Sequence, residues 1–185
     1  MANVDQAFGL RAIGKVGQNP DNQGLSEYQI AASSAAIYQG DPVILDNTGY
    51  IEVAAATNVN LIGVLNGIFY TDAATNKPTW ANHLAASNTA TDIQGFVADD
   101  PYERFEVQSA GTVARANIGN CADIVYAAGS TPNYVSGVEA SGTMAAGTAQ
   151  LKIIGLAKNQ DNAFGANAVV VVTINEHLLK QTAGI

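Results

Sequence analysis

The chain has 185 residues, with eight basic against sixteen acidic side chains and a net charge of −8. That balance excludes non-specific nucleic-acid binding, which needs Lys and Arg to displace counterions from phosphate. Hydrophobic residues make up 48% and charged ones 13%, which excludes disorder throughout and fits one domain, or two small ones sharing an interface.

Residues 1–26 read as an extended N-terminal arm. Gly9, Gly14, Gly17, Pro20 and Gly24 interrupt it, and Phe8, Leu10 and Ile13 are its sizeable apolar anchors. Such a stretch cannot bury enough surface alone to offset its ordering entropy. It is either a loose terminus or an arm that docks on something else. It has no basic n-region and no apolar h-region, so no secretory signal is expected. No apolar run approaches the ~20 residues needed to span a bilayer.

Residues 27–177 read as an all-β body of short strands. Tyr28, Ile30 and Ala32 alternate with polar or small residues. Pro42-Val43-Ile44-Leu45, the turn Asp46-Asn47-Thr48-Gly49 and Tyr50-Ile51-Glu52-Val53 form a hairpin signal. Residues 61–70 make a longer strand with Gly63 and Gly67 as bulges or close-approach points. Residues 71–93 are a polar insertion, in which Trp80, His83 and Leu84 suggest a short helical turn. Strands are expected again at 93–97, 105–107, 124–126, 151–157 and 168–174. The run Val169-Val170-Val171-Val172 does not alternate, so both its faces should be covered, in a central strand or at a subunit interface. An echo links the two halves: a Gly-Asp/Asn turn at Gly40 and at Gly119 precedes apolar-Gly-apolar strands at Gly63 and Gly155. Two such units suggest a small barrel or sandwich, followed by a tail at 178–185.

The search for chemistry returns mainly absences. There is no phosphate loop, no nucleophile elbow, no His-Glu-x-x-His helix and no Cys-x-x-Cys pair. Cys121 is the one cysteine, expected as a small buried residue. His83 reads as a loop histidine, and Asp99-Asp100-Pro101 as a turn. Glu176 and His177 should cap or pair at a strand end. Neither an enzyme nor a metal or organic cofactor is expected.

Several segments carry a resemblance. They are the start Met1-Ala2-Asn3-Val4-Asp5-Gln6-Ala7-Phe8-Gly9-Leu10-Arg11, then Tyr38-Gln39-Gly40-Asp41-Pro42-Val43. Asp99-Asp100-Pro101-Tyr102-Glu103-Arg104-Phe105-Glu106-Val107-Gln108 follows, then Asp161-Asn162-Ala163-Phe164-Gly165-Ala166-Asn167-Ala168 and the closing Ile174-Asn175-Glu176-His177. Together they resemble head structural proteins of tailed phages, above all the capsid decoration or cement proteins of phages of aquatic bacteria. The resemblance implies a body similar to the tulip-like domain of the lambda head decoration protein. It implies a homotrimer on the outer surface of the head, made in the host cytoplasm. It also implies bridging of neighbouring major capsid subunits against the pressure of packaged DNA. No nucleic acid, membrane or small-molecule substrate is expected as a partner. The alternative is another oligomeric phage component, of the tail or head–tail connector.

Within that expectation the arm grips the capsid by adding a strand to an exposed edge. Its candidate contacts are Val4, Phe8, Leu10, Arg11 and Ile13. Val170, Val172, Glu176 and His177 are the candidate trimer-interface residues.

Overall fold

The computed structural model describes residues 3–17, 24–56 and 58–181. Parts of the expected arm (1–2 and 18–23) and the last four residues of the tail lie outside them. The first half carries β1 (Arg11–Lys15), β2 (Ser26–Gln29), β3 (Ile37–Tyr38), β4 (Pro42–Leu45), β5 (Ile51–Val53), β6 (Leu61–Thr71), β7 (Pro78–Ala81), β8 (His83–Leu84) and β9 (Gln94–Ala98). The second half carries β10 (Glu103–Gln108), β11 (Thr112–Val113), β12 (Cys121–Ala122), β13 (Ile124–Val125), β14 (Glu139–Ala140), β15 (Leu151–Leu156), β16 (Gly165–Ala166) and β17 (Val169–Ile174). The fold is all-β, as the strand-length apolar runs require.

Two antiparallel sheets dominate. One has the order β2-β9-β6-β4-β5, with β7 also paired to β6; the other has the order β1-β10-β17-β15-β12. Neither ladder closes on itself, so the expected barrel is replaced by two open sheets with edge strands. Each sheet carries its own apolar cluster. Ile37, Val43, Ile62, Leu65, Ile68 and Val97 centre one. Phe105, Val107, Leu151, Ile153, Val170 and Val172 centre the other, which also takes in Leu61 and Val64 from β6. The long β6 therefore belongs to both cores and ties the halves together.

Local chemistry explains the hairpins. Asp46 accepts from the Thr48 and Tyr50 amides at 2.8 and 2.9 Å, and closes the β4–β5 turn. Asp72 accepts from the Thr75 amide at 2.7 Å and turns β6 into β7. The insertion at 71–93 is thus a hairpin arm and the short strand β8, not a helical turn. Trp80 pairs across the ladder with Phe69, a contact that favours an extended chain over a helix. His83 lies on β8, opposite Tyr38, instead of in a loop. Its ring stacks on Tyr134 at 3.9 Å between centroids.

Gly63 and Gly67 have distinct duties. A Cβ at Gly63 would overlap the Ala98 carbonyl, so β6 and β9 approach there only with glycine. Between Leu65 and Gly67 the β6–β9 register shifts by a bulge.

Strand β17 is central, between β10 and β15. Its burial alternates, however: Val170, Val172 and Ile174 are buried, while Val169, Val171 and Thr173 are half-buried. One face of the valine run enters the core and the other is only partly covered. Val170 and Val172, both 0% exposed, are core residues and present nothing to a neighbouring subunit.

Candidate interaction surface

The N-terminal segment is extended, as read, but it lies on its own chain. Strand β1 pairs with β10, with Arg11 opposite Glu106 and Lys15 opposite Glu103. A bulge between Ala12 and Gly14 breaks the register, and the Gly14 amide donates to Glu103 Oε1 at 3.0 Å. One side of the arm's backbone is therefore engaged within the chain.

A set of polar side chains fixes the residues before β1. Asn3 Nδ2 donates to the Ala163 and Ala166 carbonyls at 2.9 and 2.7 Å, and Asn3 Oδ1 accepts from the Ala163 amide at 3.0 Å. Buried Gln108 on β10 accepts from the Gln6 amide at 2.9 Å. Its Nε2 donates to the Val4 and Asn167 carbonyls at 2.6 and 3.2 Å. The Leu10 amide donates to the Gly40 carbonyl at 2.9 Å. Gly9 has φ +71°, and a Cβ there would sit 2.5 Å from Ser136 Cβ and 2.6 Å from the Gly40 carbonyl. Only glycine permits that approach.

The candidate capsid contacts divide accordingly. Leu10 is buried in the chain's own core, because a bulky apolar side chain beside the β10 and β6 cores gains more by burial there than in water. It is not a surface contact. Val4 is 74% exposed, and Phe8 and Ile13 are half-buried. Arg11 pairs with Glu106 on its own strand's neighbour, and its guanidinium sits 5.1 Å from the centre of the Phe8 ring. Phe8, Leu10, Arg11, Leu25, Asn66 and Val135 line an open groove of about 450 Å³ beside β1.

His177 is also interior. Its Nδ1 accepts from the Leu179 amide at 3.1 Å and caps a single 3₁₀ turn, Leu178–Lys180. It does cap the chain after the last strand, but it is fully buried and cannot serve as an intersubunit contact. Burial, helped by nearby Lys180, pushes its imidazole down to about 4. Glu176 is half-buried, and burial raises its carboxyl, as does Asp123 nearby.

Asp41 follows the Gly40 junction and is fully buried. Burial pushes its carboxyl up to about 6, although Ser136 and the Tyr38 amide pull the other way. Oδ2 accepts from that amide at 2.8 Å, and Oδ1 has no partner at hydrogen-bond geometry. Asp99 and Asp100 occupy the expected turn before β10. Asp99 accepts from the Tyr28 hydroxyl at 2.7 Å, and Asp100 pairs with Lys15 at 2.9 Å. Cys121 is half-buried on β12, not enclosed. Among the described residues no group of three or more His, Cys, Asp or Glu is placed to hold a metal ion.

A second surface lies on the other sheet. The indole of Trp80 is 70% exposed. It rests on Phe96, with centroids 5.2 Å apart and planes 22° from parallel, and leans on Phe69 at 4.7 Å. Cross-strand registers place Gln94 beside Phe69, Gln29 beside Gln94, and Glu27 beside Phe96.

Sequence reading missed Asn3 and Gln108, since a lone amide in a polar stretch carries no signal of its long-range partners. It also missed the trio of rings. Phe69 and Phe96 were visible as strand residues, but only the pairing β7-β6-β9 brings Trp80 to them. No family model, curated protein or solved structure matches the chain.

Proposed function

We propose that this protein is a non-enzymatic structural component of a tailed-phage head. In this reading it sits on the outer surface of the shell as a homotrimer and cements neighbouring major capsid subunits. The observation that supports it most is a convergence. Four of the five segments that carry the family resemblance, scattered from Asn3 to Ala168, meet along the N-terminal segment. Asn3 binds residues 163 and 166, Gln108 binds residues 4, 6 and 167, and Leu10 binds Gly40. Residues shared with such proteins would then specify one structural feature, a clamped N-terminal segment with Val4 projecting from it. The acidic charge suits the outside of a shell rather than its DNA-lined interior.

Contact with the shell falls to Val4, Phe8, Arg11 and Ile13 along the outward side of the clamped segment. Trimer formation falls to surfaces other than the enclosed Val170, Val172 and His177. Copy number in purified particles tests the reading. A cement protein appears in amounts comparable with the major shell protein, whereas a tail or connector component appears in far fewer copies. Val4→Asp should leave the fold intact and abolish co-sedimentation with expanded heads. Undiminished co-sedimentation would remove the N-terminal segment from the contact.

A further inference from the structure

The face around Trp80 combines features that match one ligand chemistry, and we propose that it is a carbohydrate-binding platform for neutral pyranose sugars. Four strands, β7-β6-β9-β2, lie side by side here, spanning about 14 Å at the usual strand spacing. Trp80, Phe69 and Phe96 form the apolar half of the face. Gln94, Gln29 and Glu27 form the polar half, directly across the ladder. A pyranose with equatorial hydroxyls has the complementary pattern. Its axial C–H face is apolar and stacks on an aromatic plane, while its rim of hydroxyls both donates and accepts. Amide side chains donate and accept, and a carboxylate accepts.

Three observations favour a sugar over other occupants. First, the indole is held in place. With Phe96 beneath it and Phe69 at its side, Trp80 offers a fixed outer face, so little side-chain entropy is lost on binding. Secondly, the polar partners are free. Among the described residues the side chains of Gln94, Gln29 and Glu27 make no hydrogen bond within the chain, so they need not break one to meet a ligand. Thirdly, charge and area exclude the alternatives. Glu27 is the one charged side chain of the six, and none is Lys or Arg, which disfavours phosphate-bearing or acidic ligands. Phe69 and Phe96 are already half-buried. Three aromatic side chains of about 150–250 Å² each, two of them partly covered, fall short of the ~800 Å² per partner of a stable protein interface. They are sufficient to cover one or two sugar rings.

Trp80 is the one tryptophan of the chain, so its emission reports on this face alone. The full-length protein is titrated with cellopentaose and with chitopentaose while that emission is followed. It is also run by affinity electrophoresis through gels containing mixed-linkage β-glucan. The expected result is a saturable emission change with at least one oligosaccharide, or retardation in the glucan gel. Trp80→Ala should weaken retardation or calorimetrically measured binding at least tenfold. Gln94→Ala, which keeps the fluorophore, should weaken it several-fold with an unchanged melting temperature. Absence of any saturable response to all three probes overturns the proposal. So does binding that Trp80→Ala leaves intact. If the emission instead changes with protein concentration, or on mixing with phage heads, and no sugar binds, the face is a protein interface and the platform is refuted. None of these outcomes bears on copy number in particles, so the two readings fail separately.

Discussion

The two sheets turn unlike faces outward. On the five-stranded sheet the N-terminal segment is held by buried or half-buried amides, each polar atom of Asn3 and Gln108 meeting a main-chain partner. On the six-stranded sheet Trp80 stays 70% exposed, and among the described residues the side-chain amides of the adjacent Gln94 and Gln29 make no hydrogen bond. The first arrangement stabilises the fold through polar groups that are satisfied by main-chain partners within the chain. The second contributes little to the fold and keeps its chemistry available. Polar residues that are spent and polar residues that are free thus look alike in composition and differ in duty.

The largest expected effect comes from breaking the first arrangement at its apolar anchor. Leu10→Ala removes a buried side chain that joins the N-terminal segment to the core, and should destabilise the protein by about 2–5 kcal/mol. A denaturant midpoint measured at neutral pH reads this directly. A loss below 1 kcal/mol would mean that the segment docks loosely and that the clamp is not part of the cooperative fold.

The next effect sharpens the comparison through pH. Asp41 has its carboxyl raised to about 6, so below that value the folded state holds a proton that the unfolded state, with an ordinary carboxyl, has released. Its contribution to stability therefore increases as pH falls from about 6 towards 4. His177 is lowered to about 4, so the unfolded state gains a proton first, and its contribution is lost as pH falls from about 6.5 towards 4. Each amounts to about 3 kcal/mol, and the two oppose each other in one window. Asp41→Asn should make stability fall more steeply with acidification than in the parent chain. His177→Gln should tilt the slope the other way. Urea midpoints at pH 4, 5, 6 and 7 for the three proteins separate these terms, since all other carboxylates are common to them. Parallel curves would show that neither group titrates as its burial requires.

Gln108→Ala follows. It leaves the Gln6 amide and the Val4 and Asn167 carbonyls without their partner, at about 1–3 kcal/mol for a buried group left unsatisfied. Faster hydrogen exchange at the Gln6 amide, with the β17 amides unchanged, would place the loss at the seam. Uniform loosening of the whole sheet would instead make Gln108 a core determinant.

The legible part of this molecule was its local grammar. The 46–49 turn, the Gly67 bulge and the turn before Pro101 follow from residues near each other in the chain. The strand-length runs gave the all-β class for the same reason. What stayed hidden depends on register between distant strands. The valine run looked covered on both faces because four β-branched residues in a row carry no alternation, yet the pairing of β17 with β10 and β15 leaves Val169 and Val171 half-buried. Leu10 looked available for a partner because Phe8, Leu10 and Ile13 follow neither a helical nor a strand period in the sequence. In space its amide bonds to Gly40 and its side chain meets the core.

The smallest expected effect on stability falls on the most prominent exposed ring. Trp80 leaves 70% of its surface in water, so its truncation opens no enclosed cavity. It surrenders the contacts with Phe69 and Phe96, and aromatic pairs are worth about 0.5–1.5 kcal/mol each beyond their burial. Exposure of the now uncovered phenylalanines adds to the loss, while release of an immobilised side chain offsets part of it. Trp80→Ala should therefore lower stability by about 1 kcal/mol, well below the loss for Leu10→Ala. Thermal melts of the two variants beside the parent chain provide the measurement. If Trp80→Ala proves as damaging as Leu10→Ala, the ring pile is a strut of the six-stranded sheet, and the contrast between a structural face and an available one collapses. If the loss is small, the rings are kept in place for something outside the chain, because an exposed indole that contributes little to folding is otherwise an aggregation liability.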